Sequence, residues 1–95
     1  MIYELVFLKS AKKEWDKLSP DIRNHFKEKL LQRLSVPKIP KDKLSGLPDC
    51  YKIKLQSVGY RLVYKVIESR VVVQVVAIDA REKNAIYKLA RKRII

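Results

Sequence analysis

Apolar residues along this chain alternate, then recur every three to four positions, then alternate again, and the changes of period mark its elements. Tyr3, Leu5 and Phe7 fall on one side of an extended segment, so Met1 to Leu8 reads as a first strand. Ala11, Trp15 and Leu18 then recur at helical spacing with charged residues between them, which predicts a short helix capped by Ser10, with Trp15 in the core. Ser19-Pro20-Asp21 starts a second helix with a capping hydroxyl, a proline at the first helical position and an acid in the first turn. Ile22, Phe26, Leu30 and Leu34 are its apolar stripe, and Pro37 ends it. Residues 35–43 read as an extended connection, and Gly46-Leu47-Pro48-Asp49 leads into the next strand.

Alternation returns in Tyr51-Lys52-Ile53-Lys54-Leu55 and in Gly59-Tyr60-Arg61-Leu62-Val63-Tyr64. Ile53 and Leu55 face the core in the first of these, and Tyr60, Leu62, Tyr64 and Val66 in the second. With Gln56 to Gly59 as the hairpin loop, Leu55 pairs with Tyr60 and Lys54 lies opposite Arg61. The β-branched run Val71 to Ile78 suits a central strand covered on both faces. Asp79 through Ile95 is expected to be a helix bearing Ile86, Ala90 and Ile94, opened by a capping box of Asp79 and Glu82. The order β-α-α-β-β-β-α implies an α+β fold, a twisted, mostly antiparallel four-stranded sheet packed with helices.

Composition narrows the partner. Ninety-five residues suit one domain, 1–95, and 22 Lys and Arg against 10 Asp and Glu give a net charge of +12, which draws polyanions. Residues 50–95 hold eleven basic and three acidic residues, so the second half is the expected binding face. No apolar run approaches a membrane span, and Met1 to Leu5 lacks a basic segment followed by a long apolar stretch, so a cytoplasmic protein with no membrane partner is expected. The single Cys50 has no disulfide partner, reads as a filler on the face of Lys52 and Lys54, and makes a poor metal set with the one histidine, so no cofactor is expected.

The candidate chemistry lies on the hairpin. Lys52 and Lys54 project from one face about 7 Å apart, and the cross-strand pair Lys54 and Arg61 is unfavourable unless an anion sits between the two cations. A phosphate would satisfy both, and replacing either residue should then leave folding intact or improved. Arg81, in the first turn of the last helix, opposes the helix dipole in the same way. Tyr87 either packs on the sheet or stacks on a base. His25 reads as a surface residue far from the basic hairpin.

Residues Lys43-Leu44, Pro48 to Leu55, Gly59 to Tyr64, Arg81-Glu82 and Tyr87 together resemble the RelE-type toxins of the RelE/ParE toxin–antitoxin superfamily, almost end to end. The resemblance implies a ribosome-dependent endoribonuclease that cuts messenger RNA in the A site, is neutralised by an acidic, RelB-like antitoxin, and uses Lys52, Lys54, Arg61, Arg81 and Tyr87. Several relatives carry a basic residue before the loop glycine, where this chain has Ser45. Attack by the RNA's own 2′-hydroxyl needs a proton acceptor, stabilised charge on phosphorus and a stabilised leaving 5′-oxygen. Crowding Lys54 among Lys52, Arg61 and Arg81 favours the neutral amine that can accept the proton. Arg61 and Arg81 would clamp the phosphorane oxygens, and Tyr87 would stack or move a proton. Two other classes share these patterns, a ParE-like toxin that poisons a DNA topoisomerase by binding and a non-catalytic RNA-binding module.

Overall fold

The first and last strands of the chain are neighbours in the sheet, with β1 (Glu4–Phe7) lying beside β4 (Val72–Asp79), followed by β3 (Tyr60–Ile67) and β2 (Cys50–Leu55). Between β1 and β2 come α1 (Lys9–Asp16) and α2 (Pro20–Arg33), and after β4 comes α3 (Lys83–Ile94). This computed structural model describes residues 2–80 and 83–94. β1 runs parallel to β4, and the other two pairings are antiparallel. Among the described residues no helix is long and apolar enough to cross a membrane.

The two sheet faces bury different helices. Ala11 and Leu18, then Phe26, Leu30 and Leu34, pack on Ile53, Leu55, Leu62, Tyr64, Val73 and Val75. On the other face, Ile86 and Ala90 of α3 cover Cys50, Val63, Val76 and Ala77. A β-bulge makes the second face possible. Val63 pairs with Ala77 and Tyr64 with Val75, so Val76 is the extra residue and both Val76 and Ala77 turn toward α3. The β-branched run of β4 is thus a central strand with both faces covered, as its composition predicts.

Several boundaries differ from expectation. Strand β1 spans four residues, because only Glu4 to Phe7 find partners in β4. Helix α1 begins at Lys9, with Leu8 at the N-cap position and no side-chain cap, so Ser10 lies inside the helix. The Leu8 amide donates to Val75 O and its carbonyl accepts from Lys12, so the helix starts directly off the sheet. Trp15 is half-buried at the core margin, its ring 5.2 Å from that of Phe7. Helix α2 starts as expected, with Ser19 Oγ accepting from Ile22 and Pro20 first in the helix, but it ends at Arg33, ahead of Pro37. The connection after it contains a 3-10 turn at Pro40–Asp42. Asp79 is the last residue of β4, and the second member of its expected capping box, Glu82, lies outside the described residues, as does Arg81.

Candidate active site

Strand β2 is an edge of the sheet, and its α3-facing side is covered progressively less along its length. Cys50 is fully buried under α3, Lys52 is half-buried and Lys54 is exposed. The hairpin has the predicted register, Leu55 with Tyr60 and Lys54 with Arg61. The loop 56–59 closes on two bonds to Leu55 O, from Val58 and Gly59, and Gly59 adopts φ +72°, which a residue without a Cβ takes at little cost. Lys52, Lys54 and Arg61 are therefore brought to one face at the open end of the sheet.

Arg61 has a second cross-strand neighbour. On β4 it pairs with Asp79, so a charged row, two cations and then a carboxylate (Lys54, Arg61, Asp79), crosses three strands on this face. Lys54 faces a like charge across the strand, whereas a carboxylate of the chain itself stands on the far side of Arg61, so the need for an added anion is greater at Lys54 than at Arg61. Asp79, expected at a helix cap, ends β4 instead, and only the register of β3 against β4 brings it to this face.

Across from β2, Tyr87 lines a cleft of about 490 Å³ with Lys43, Leu44, Ser45, Leu47, Lys52, Lys88 and Arg91. Four of these lining residues are cationic and none is acidic. Tyr87 neither packs wholly inside nor stands free, being half-buried against the α3-side core. Burial raises its phenol above the usual tyrosine range, with Arg61 pulling it back down and Asp42 pushing it up. Near neutrality Tyr87 is therefore a neutral hydroxyl that can donate a proton or a hydrogen bond, and not a phenolate base.

A second cleft, about 640 Å³, runs along the outer side of β2 toward α2, where His25, Lys29 and Lys41 share its walls with Lys52 and Lys54. His25 is exposed as expected, but it is not remote from the basic hairpin: β2 is an edge strand, and α2 packs beside it.

The strand that carries the lysines is held from below. Arg33 Nη1 donates to Tyr64 Oη at 3.0 Å and reaches Lys52 O at 3.4 Å, while Arg33 Nη2 pairs with Asp42 at 2.7 Å. Tyr64, fully buried, donates its own hydroxyl to Pro37 O at 2.6 Å and stacks on Tyr51. Burial pushes the Tyr64 phenol up, against the opposing pull of Arg33. A buried, satisfied network of this kind fixes the β2 backbone at Lys52. Arg33 has no apolar periodicity to betray it, and only the fold brings it under the strand.

Comparison with known proteins comes down to one family and its close members. Residues 5–85 match the ParE toxin of type II toxin–antitoxin systems. The chain is 50% identical to the mRNA interferase toxin RelE of Escherichia coli K12, over the full length of both. Among solved structures it resembles a doubly arginine-substituted E. coli toxin RelE in the free state, with a TM-score of 0.92, 49% identity and full coverage of both chains. It also resembles the toxin in the intact E. coli RelBE toxin–antitoxin complex, with a TM-score of 0.82 and 51% identity over 85% of this chain and 99% of that one.

Proposed function

This chain belongs to the ParE toxin family of type II toxin–antitoxin systems, and on that premise we propose that it is a RelE-type mRNA interferase. Residues 1–95 form one toxin domain that acts in the cytoplasm, cuts messenger RNA in the ribosomal A site and so stops translation. Its partners are the ribosome with its messenger and a RelB-like antitoxin, acidic on its contacting surface. The observation that carries this reading is the gathering of Lys52, Lys54 and Arg61 on one open sheet face, with Tyr87 across a cationic cleft from Lys52.

The chemistry follows from those groups. The 2′-oxygen of the nucleotide before the cut attacks phosphorus, Lys54 in its neutral form takes the 2′-proton, and the P–O5′ bond breaks as the leaving 5′-oxygen takes a proton from Tyr87 or from water. The products are a 2′,3′-cyclic phosphate and a 5′-hydroxyl. Arg61 and Lys52 hold the phosphorane oxygens, and Arg81 is assigned to the same task from sequence. Tyr87, neutral at this pH, stacks on a base beside the cut or donates toward the leaving oxygen. Lysine and tyrosine are weak acid and base catalysts near neutrality, so geometry must supply much of the rate. Holding the 2′-oxygen in line with phosphorus is worth up to about 7–11 kcal/mol, and the ribosome provides that alignment.

The test is incubation with translating ribosomes, read by the RNA termini. A cyclic phosphate and a 5′-hydroxyl at A-site codons, absent on free RNA, support the proposal. Uncut messenger with an inhibited topoisomerase would favour a ParE-like poison, and uncut but bound messenger a binding module.

A further inference from the structure

The cleft that holds Lys52 and Tyr87 continues past them to a guanidinium for which the proposed reaction has no role. Arg91 lies one helical turn beyond Tyr87, about 6 Å along the axis and on the same side of α3. The opposite wall is the turn before β2. There Gly46 adopts φ +77°, and a Cβ on it would stand 2.8 Å from Arg91 Nη2. The guanidinium thus rests on bare backbone, in a space that any side chain at position 46 would take. Lys43 and Lys88 flank it, and Ser45 is the uncharged polar member of that wall. An exposed planar fork that shares its cleft with two lysines, in a described lining that has no carboxylate, is suited to phosphate oxygens.

We propose that Arg91 is a substrate-positioning residue, taking a phosphate next to the scissile one as the messenger runs from the Lys54–Arg61 row past Lys52 and Tyr87 to the Gly46 turn. The assignment rests on the mRNA-interferase reading and adds to it the path of the strand. Arg91 acts on binding and alignment, not on proton transfer. Its contact is to backbone, so its loss should weaken binding to the same extent at every codon.

The experiment measures affinity for ribosomes carrying messenger with a 2′-O-methylated A-site nucleotide, which cannot be cut by 2′-attack, over a series of salt concentrations. Arg91→Gln is expected to bind about ten-fold more weakly, with a slope of log K against log salt shallower by about 0.7, the amount for one phosphate on a single strand. Adding Ser45→Arg to that variant should restore the slope from the other wall. Unchanged affinity for Arg91→Gln, weaker binding with an unchanged slope, or a slope that Ser45→Arg does not restore would each overturn the role. Failure of wild type to bind these ribosomes would overturn it too. Arg91-dependent binding by a wild-type protein that leaves unmodified messenger uncut would support the phosphate contact and refute the nuclease.

Discussion

At the scale of single residues, Lys54 and Arg61 face each other as the alternation predicts, yet they are not equivalent. Lys54 meets a like charge across the ladder, while Arg61 stands between that charge and Asp79. Lys54→Ala is therefore expected to leave the melting temperature unchanged or raised. Arg61→Ala should lower it by a few degrees, since a cross-strand charge pair contributes about 0.2–1 kcal/mol. Both should lose ribosome-dependent cleavage, and a thermal melt beside a cleavage assay separates the two effects. Equal melting shifts for the two variants would show that Asp79 does not distinguish them. Cys50 carries a different prediction. Burial pushes its thiol from 9.0 to about 11, so the native protein holds about a hundred-fold less thiolate near pH 8 than an ordinary thiol. Alkylation should be very slow in the native state and fast after denaturation. Because the folded value is raised, this group's contribution to stability is complete below pH 9 and is lost as pH rises toward 11. Rapid native labelling at pH 8 would contradict the buried position under α3.

Among the elements, α3 is the piece that completes the cleft, and one ion pair ties it to the rest of the chain. Arg93 Nη1 donates to Glu14 Oε1 and to Val76 O, both at 2.8 Å, while Glu14 also accepts from the Ile78 amide. Glu14→Ala would leave a half-buried guanidinium with Val76 O alone and the Ile78 amide without its acceptor, and should lower stability by about 2 kcal/mol. Hydrogen exchange should accelerate in α3 while β3 remains protected, and uniform acceleration would place the loss elsewhere. The pairing is not legible in the sequence, where Glu14 is one of two acids on a charged helix. Most of the elements are legible. The 3.6-residue stripe of α2, its Ser-Pro-Asp start and the two-residue alternation of the hairpin each arise from local geometry. The parallel docking of β1 on β4, the bulge at Val76 and the approach of His25 to the β2 edge are long-range consequences of packing, and no periodicity encodes them. Of the candidate site, the hairpin cations could be placed from register alone, while Asp79, Arg91 and the Arg33 support depend on how distant segments meet.

For the whole molecule, +12 on 95 residues favours long-range attraction to polyanions, ribosome and antitoxin alike. Association with an acidic antitoxin should slow steeply as salt increases, because charge complementarity acts mainly on the encounter rate. Stopped-flow mixing at low and physiological ionic strength measures this, and a salt-independent on-rate would contradict steering. In the proposed reaction this fold cuts RNA with a lysine as proton acceptor, although its one histidine lines a cleft beside the same strand. Single-turnover cleavage of ribosome-bound messenger across pH, in wild type, Lys54→Arg and His25→Ala, tests it most directly. The wild-type rate should rise with pH, since the neutral amine is the active form. Lys54→Arg keeps a cation for the phosphate but cannot lose its proton near neutrality, so it should hold the messenger and fail to cut it, while His25→Ala should cut almost normally. A fully active Lys54→Arg, or a folded His25→Ala that binds the messenger and cannot cleave it, would contradict the lysine mechanism.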